Sequence, residues 1–258
     1  MNLVSPKESP LAISSSATSL KDAEHVSLPE FNGAVLDLDG TLIDSVYQRV
    51  LSWQEAFAEM GYYIPAWELH RHIGMCADLL IDALSRRLGT SQFSVFEQRQ
   101  ALLVRHGRAF SSYATTLRPL PGARQLLDCL VASGKHIALA TSGDRAGAQK
   151  CLAILDWTAE IPLVTREDVM YAKPDPEIFL KAVRRLALPS AEVVVIGDSV
   201  WDVTAAQQAG CLSVGLLSGG SSVEDLRNAG AIMVLRDPAE LAQRLMHHGS
   251  QCGTQDWT

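Results

Sequence analysis

The sequence predicts an α/β protein, built as a doubly wound parallel sheet with an inserted α-helical cap. Short apolar runs alternate with segments that carry a helical period, which is typical of parallel strands joined by crossover helices. One long interval lacks any strand pattern, and this predicts the insertion. At 258 residues, of which 47% are hydrophobic, the chain is long enough to bury a substantial core.

Six apolar runs followed by turn residues are strand candidates, and five further segments carry helix periodicity. The strand candidates are GAVLDLD (33–39), KHIALATS (135–142), IPLVT (161–165), AEVVVIGDS (191–199), CLSVGLL (211–217) and AIMVL (231–235). The helix candidates are GARQLLDCLVAS (122–133), RAGAQKCLAIL (145–155), PEIFLKAVRRLAL (176–188), WDVTAAQQAG (201–210) and SVEDLRNAG (222–230). Their alternation predicts helices on both faces of one parallel sheet.

Residues 45–117 form the predicted cap, and residues 31–44 with 118–248 form the predicted core. Five apolar residues at steps of four and three predict an amphipathic helix that Gly61 can end. They are Val46, Val50, Trp53, Phe57 and Met60. Helix periodicity also extends over 76–89 and 94–110, so we expect a small bundle that could close over the core as a lid.

The two ends of the chain and its composition limit the classes of partner. Residues 1–30 and 249–258 contain few large apolar side chains, so we expect a flexible arm and a flexible tail. The formal charge of -7 argues against a nucleic-acid partner. No apolar run approaches the roughly 18 residues that a membrane span needs, so we expect no membrane partner.

The cysteine pattern indicates the compartment. The five cysteines lack C-x-x-C spacing, which suits a reducing compartment and offers no zinc framework. We therefore expect a cytoplasmic protein, as a monomer or a homodimer.

Polar residues follow several of the predicted strands, at the edge where an open α/β sheet binds ligands. Asp37 and Asp39 come straight after the first apolar run, and strand alternation puts them on the same side. Gly40 lets the chain turn there and approach a ligand closely. The arrangement predicts two carboxylates that share one small site.

A second acidic pair lies where the strand of 191–199 gives way to a helix. Asp198 and Asp202 are four residues apart, so they lie one above the other on a first helical turn. Taken alone, the pair is better explained by an N-cap at Asp198 or Ser199. Together with Asp37 and Asp39, however, these carboxylates require a cation, and hard oxygen ligands favour Mg²⁺.

Two further polar groups point to an anionic ligand. Lys173 lies between a strand and a helix, next to Pro174 and Pro176, and a fixed ammonium would suit a phosphoryl group beside carboxylates. Thr141, followed by Ser142, ends the second run, and its hydroxyl can bond a phosphoryl oxygen. A solvated lysine and a helix-capping threonine are the alternatives.

Together these residues resemble the signature of the haloacid dehalogenase-like hydrolase superfamily. The matching elements are DLDGT at 37–41, Thr141, Lys173 and GDSVWD at 197–202, in that order, over residues 31 to about 245. The insertion after the first motif resembles the helical cap of the branch that contains phosphoglycolate phosphatase and β-phosphoglucomutase.

The resemblance implies a Mg²⁺-dependent phosphatase that acts on a small phosphorylated metabolite, of sugar phosphate or phosphoglycolate type. It implies that Asp37 attacks phosphorus and that Asp39 is the acid and base. It assigns Thr141, Ser142 and Lys173 to phosphate binding, and it makes Lys173 a catalytic residue as well. It also implies a metal site formed by Asp37, the Asp39 carbonyl and Asp198, with Asp202 as a ligand or an orienting residue.

Three other functions are alternatives to a phosphatase. The superfamily's dehalogenases need no metal and differ at the position of Asp39, which argues against them. A β-phosphoglucomutase-like enzyme is closer, but Thr41, Gln48 and Ala77 depart from residues that the mutase carries, which favours hydrolysis. A receiver-like signalling module also uses a phosphorylated aspartate, but such modules are shorter and lack a cap.

The cap is expected to determine the substrate. We predict that Gln48, Arg71 and Gly74 contact it, with Gly74 in a loop, HRHIGM, that dips toward the core. Arg71 could hold a second anionic group of the substrate, and its alternative is a solvated surface residue.

Overall fold

The computed structural model of the chain describes residues 28–157 and 160–251, and eight strands and ten helices are assigned within them. The strands are β1 (Gly33–Leu36), β2 (Ile43–Asp44), β3 (Arg118–Pro119), β4 (His136–Ala140), β5 (Leu163–Val164), β6 (Val193–Gly197), β7 (Leu212–Leu216) and β8 (Met233–Leu235). The helices are α1 (Val46–Glu59), α2 (Ala66–His70), α3 (Ala77–Leu88), α4 (Phe96–Ser112), α5 (Ala123–Ala132), α6 (Arg145–Leu155), α7 (Glu177–Leu186), α8 (Val200–Gln208), α9 (Val223–Ala229) and α10 (Pro238–Gln251).

Six strands form one parallel sheet in the order β5-β4-β1-β6-β7-β8. The first strand of the chain therefore lies in the interior of the sheet, between β4 and β6. In the register, Leu36 lies beside Leu139 of β4 and Ile196 of β6. The predicted doubly wound α/β fold is confirmed, and every strand candidate contains a strand of this sheet.

Alternate residues of the strands pack on opposite faces of the sheet. Leu36, Leu139 and Ile196 belong to a hydrophobic cluster with α5, α6 and α10, whereas Val35 and Val195 belong to a second cluster with α7 and α8. Since both faces of the sheet are covered, the strands are almost wholly apolar, with His136 of β4 and Ser213 of β7 as exceptions, which is the pattern expected of a buried parallel sheet.

The helices α1 to α4 lie between β2 and β3 and have a hydrophobic cluster of their own. The predicted stripe on α1 is part of it: Val46, Val50, Trp53 and Phe57 are buried, and Met60 packs against the cluster. Gly61 follows the helix with a φ of 84°. We call residues 45–117 the helical insert.

The ribbon at the base of the insert was not predicted from the sequence. β2 and β3 pair antiparallel over two residues each, Ile43 with Pro119 and Asp44 with Arg118. Two residues are too few to show an alternating pattern, and their pairing depends on contact across the whole insert. The ribbon joins the two chain segments that enter and leave the helical insert.

The chain ends differ from the predicted boundaries at two points. Leu28, within the predicted arm, is half-buried and packs against the hydrophobic core, whereas Pro29 and Glu30 are exposed. Helix α10 continues to Gln251, past the predicted start of the tail at 249, since each added helical residue gains a backbone hydrogen bond. The rest of the predicted arm, 1–27, and of the tail, 252–258, lies outside the described residues.

Among the residues that the structure covers, no helix combines the length and the apolar character that crossing a membrane requires.

Candidate active site

The ends of three neighbouring strands bring the first polar groups of the site together. Asp37 follows β1, Thr141 follows β4 and Asp198 follows β6, and all three side chains are buried. The backbone N–H of Asp37 donates to the carbonyl of Ile196 at 3.0 Å, so the strand pairing extends to Asp37 itself. The sheet register therefore decides which polar groups meet.

Lys173 is fully buried and ion-pairs with two of the carboxylates. Its Nζ lies 2.5 Å from Asp37 Oδ1 and 2.6 Å from Asp202 Oδ1, and it also lies 3.4 Å from the carbonyl of Ala140. Burial lowers the pKa of Lys173, but Asp202 and Asp37 outweigh burial and raise it. The lysine therefore stays charged, and the alternative of a solvated surface lysine is wrong.

Asp202 has two sets of partners. Its Oδ2 accepts hydrogen bonds from the backbone N–H of Ser199 at 3.1 Å and from Ser199 Oγ at 2.5 Å, and Ser199 is the N-cap of α8. Its Oδ1 faces Lys173. The capping function considered for this pair is thus present, with Ser199 as the cap, and the same carboxylate orients the lysine.

Asp198 is enclosed by small residues. Thr41 Oγ1 donates to Asp198 Oδ1 at 3.0 Å. A β-carbon at Gly219 would lie 1.7 Å from Asp198 Oδ2, and one at Gly40, which has a φ of 79°, would lie 2.4 Å from it. Both positions therefore need glycine for the carboxylate to keep its place.

Burial and mutual repulsion disfavour the charged forms of two of these carboxylates. The pKa of Asp37 is raised to about 7, mainly by burial, and Asp202 and Asp39 add to the rise while Lys173 opposes it. The pKa of Asp198 is raised well above its ordinary value by burial and by its neighbours Asp202 and Asp37. A cation bound between them would lower both pKa values.

The donor set fits a hard divalent cation. Asp37, Asp198 and Asp202 each offer a carboxylate oxygen, and these oxygens lie within 4.8 Å of one another. Lys173 supplies one positive charge against these three carboxylates. Buried oxygen ligands with a surplus of negative charge suit Mg²⁺, so the residues present are compatible with the predicted metal.

Asp39 is placed differently from the other carboxylates. Ser45 Oγ donates to its Oδ1 at 2.6 Å, and Arg49 Nη2 lies 2.8 Å from its Oδ2. Burial raises the pKa of Asp39, but Arg49 and Ser45 outweigh burial, and the pKa is lowered from its ordinary value. Both partners come from the start of the helical insert, and sequence reasoning missed both. Ser45 and Arg49 lie four residues apart just after DLDGT, and this helical spacing is the sequence pattern that could have identified them.

Thr141 and Ser142 have different surroundings. The hydroxyl of Thr141 accepts from the backbone N–H of Gly143 at 3.1 Å, and the N-cap of α6 is Asp144, so Thr141 does not cap that helix. Ser142 Oγ donates to the carbonyl of Gly74 in the helical insert at 3.0 Å. Thr141 thus keeps its proton for a ligand, whereas Ser142 links the core to the insert.

The loop around Gly74 lies directly on the core. Gly74 has a φ of 97°, and a β-carbon there would lie 2.5 Å from Ser199 Oγ. Further contacts are made by the His70 ring, whose Nε2 lies 2.8 Å from the carbonyl of Gly219, and by Cys76, whose N–H donates to the carbonyl of Lys173 at 3.3 Å. The predicted approach of this loop to the core is present in the structure.

The other two residues predicted to contact substrate lie in different environments. Arg71 is exposed, with its guanidinium 5.6 Å from the centre of the Trp67 ring, and its carbonyl accepts from Trp201 Nε1. Gln48 is half-buried on α1, and its Oε1 is buried without a hydrogen-bond partner among the described residues. The guanidinium of Arg71 therefore stacks on a surface tryptophan, and the side-chain oxygen of Gln48 can accept a hydrogen bond from a ligand.

Comparison with known proteins places the chain in a family. A family model described as haloacid dehalogenase-like hydrolase matches residues 31–210. A phosphoglycolate phosphatase of Yersinia pseudotuberculosis is 29% identical over 231 residues, which cover 84% of this chain and 94% of that protein. A β-phosphoglucomutase of Bacillus subtilis is 27% identical over 217 residues, 83% of this chain and 92% of that protein.

A solved structure shows the same relationship. The crystal structure of a hydrolase from Pseudomonas syringae is 38% identical to this chain, with a TM-score of 0.79, and the match covers 86% of this chain and all of that one. The superfamily resemblance of the four sequence motifs is thereby confirmed. The chain is an enzyme that belongs to the haloacid dehalogenase-like hydrolase family.

Proposed function

We propose that the protein is a Mg²⁺-dependent phosphatase that hydrolyses a small organic phosphate monoester through an aspartyl-phosphate at Asp37. The observation that carries the proposal is the buried group formed by Asp37, Lys173, Asp198 and Asp202 at the ends of β1 and β6. A carboxylate nucleophile needs an adjacent ammonium and a cation-binding site before it can approach a phosphate anion, and this group supplies both.

The reaction takes two displacements at phosphorus. In the first, an oxygen of Asp37 forms a bond to phosphorus, the bond from phosphorus to the leaving oxygen breaks, and Asp39, in its protonated form, gives that oxygen its proton. In the second, Asp39 takes a proton from water, whose oxygen attacks the aspartyl-phosphate and releases inorganic phosphate and the Asp37 carboxylate. Each step is easier than a single displacement by water.

Other groups bind the phosphoryl oxygens and balance their charge. Lys173 lies against Asp37, and Thr141 holds a buried hydroxyl at the next strand end. Asp37, Asp198 and the Asp39 carbonyl would hold Mg²⁺, which would supply charge neutralisation there. Asp202, which is bonded to Ser199 and paired with Lys173, serves to orient the lysine.

The substrate class follows from the insert and from the relatives. The loop around Gly74 covers the strand ends, which restricts the site to a small ester. The relatives include a phosphoglycolate phosphatase and a β-phosphoglucomutase, so a phosphorylated sugar or a short phosphorylated acid is the class we propose.

The proposal is tested by phosphate release from a panel of phosphate esters, with Mg²⁺ and with a chelator. We expect release that needs the metal and that ranks small sugar phosphates and short phosphorylated acids above larger esters. Isomerisation of a sugar phosphate without release would instead identify a mutase. Stable phosphorylation of Asp37 without turnover would identify a signalling module.

Metal binding should stabilise the protein more at alkaline pH than at acidic pH. The pKa of Asp37 in the folded state, about 7, lies above its ordinary value of 3.8, and Asp198 is shifted in the same direction. Stability from these groups is therefore present below pH 3.8 and is lost as the pH rises through about 7. Mg²⁺ replaces protons at this site, so its effect should grow over the same range.

Thermal unfolding with and without Mg²⁺ measures this effect. We expect Mg²⁺ to raise Tm by several degrees at about pH 8 and by much less at about pH 5, since saturating metal adds about 2.7 kcal/mol at 100 times its Kd. Asp198→Asn is the matched variant and should lose the increase. An equal increase at both pH values would show that these carboxylates do not bind the metal.

A further inference from the structure

The first turns of α1 hold both oxygens of the Asp39 carboxylate. Ser45, the residue before α1, donates to Oδ1, and Arg49 pairs with Oδ2. The backbone N–H of Arg49 donates to the carbonyl of Ser45 at 3.0 Å, so the two side chains project from consecutive turns of one helix. The carboxylate is thereby held at two points by the helical insert.

Arg49 is itself held by aromatic side chains of the insert. Its guanidinium carbon lies 4.2 Å from the centre of the Phe110 ring on α4. The Phe110 ring stacks with His106 at 6.3 Å, and the His106 ring stacks on Trp53 at 4.0 Å. The Nε of Arg49 is buried with no hydrogen-bond partner in the described part of the chain. The arginine is therefore fixed by packing and directed at Asp39.

The stack formed by Arg49, Phe110, His106 and Trp53 carries a single charge. Burial and, secondly, the nearby Arg49 lower the pKa of His106 to about 3 against a smaller opposing effect of Asp39, so the imidazole is neutral over the working range of pH. Trp53 and Phe110 are uncharged. Arg49 is thus the charged member of this four-residue stack, and its opposite charge is Asp39.

We propose that Arg49 is a positioning residue that acts through Asp39, holding the acid and base of the reaction in place from the first helix of the insert. The inference rests on the proposed function. A carboxylate oxygen has two lone pairs, so the bonds to Ser45 and Arg49 leave each oxygen one more acceptor site. Asp39 can therefore be held and still reach the leaving oxygen or the attacking water.

The steady-state kinetics of Arg49→Gln test the proposal with two esters of similar size, one with a neutral and one with an anionic leaving group. We expect kcat to fall about 10- to 100-fold with both esters, since a misplacement of about 1 Å costs rates of this order. KM should change by less than about 3-fold. Arg49→Lys, which keeps the charge, should recover part of the rate.

A double-mutant cycle with Asp39→Asn separates positioning from other roles. If Arg49 acts through Asp39, then Arg49→Gln in the Asp39→Asn background should cost less than about 2-fold in kcat. Arg105→Gln is the control, because Arg105 joins the same two helices through Glu59, away from the site. It should keep wild-type kinetics.

Several outcomes would overturn the proposal. A KM that rises only for the anionic ester would make Arg49 a substrate-binding residue, and additive losses in the cycle would separate it from Asp39. If Arg49→Gln fails to fold, Arg49→Lys takes its place in the cycle, with the same criterion. If Asp39→Asn alone keeps wild-type turnover, the proposed role of Asp39 is wrong whatever Arg49 does.

Discussion

Asp37→Asn should abolish phosphate release, to the level of a protein-free blank, while the protein remains folded. The amide cannot form the aspartyl-phosphate, so no later group can compensate. We expect the fold to tolerate the change, because burial raises the pKa of Asp37 to about 7 and so favours a neutral side chain at this position. Lys173 keeps its second partner, Asp202, at 2.6 Å. Tm should therefore stay within a few degrees of the wild type.

The matched control for this variant is Asp44→Asn. Asp44 lies in the same stretch of sequence, but its side chain is exposed on β2. Its turnover should equal that of the wild type. Mass spectrometry of the acid-quenched enzyme gives an independent readout. It should find a phosphorylated Asp37 peptide in the wild type and in Asp44→Asn, and no phosphorylated peptide in Asp37→Asn. Wild-type turnover by a clean sample of Asp37→Asn would exclude the aspartyl-phosphate mechanism.

Lys173→Met should destabilise the protein strongly as well as inactivate it. Methionine has a similar volume, but without the ammonium the buried oxygens of Asp37, Asp198 and Asp202, within 4.8 Å of one another, have no buried cation. Removing one partner of a buried ion pair typically costs about 3–5 kcal/mol, which corresponds to a fall in Tm of roughly 10 °C for a chain of this size. Denaturant unfolding without added metal measures the loss.

The pH dependence of this loss identifies its cause. Lys173 lowers the pKa values of Asp37 and Asp198, so removing it raises both further. Protonation then relieves the repulsion, and the destabilisation should be smaller at about pH 5 than at about pH 8. Lys150→Met, at an exposed position, is the control and should be neutral. A loss of equal size at both pH values would point to packing rather than charge.

Much of the site could be predicted because it depends on local patterns. The apolar runs before Asp37, Thr141 and Asp198 identify three strands, and parallel strands in one sheet end at the same edge. The residue types at those strand ends then predict a binding site for a metal ion and a phosphoryl group. The fold class and the family followed from these patterns and were confirmed.

Other parts of the site depend on contacts that no local pattern encodes. Ser142 looked like a phosphate ligand, but its hydroxyl donates to the carbonyl of Gly74, 68 residues away. Arg71 looked like a possible anion-binding residue of the cap, yet its guanidinium lies over Trp67. The neighbour of Ser142 is set by how the helical insert sits on the core, whereas Trp67 lies four residues before Arg71 within the insert itself.

Hydrophobic periodicity and turn residues are local properties, so they predicted the strands in their order along the chain, the helical insert and the residues at the strand ends. Only the tertiary structure decided how the carboxylates are divided among their partners. Asp37 and Asp202 share the buried Lys173, whereas Asp39 is held by Ser45 and Arg49. The physical reason is that charge and burial act through space, and the lysine lies 136 residues from Asp37.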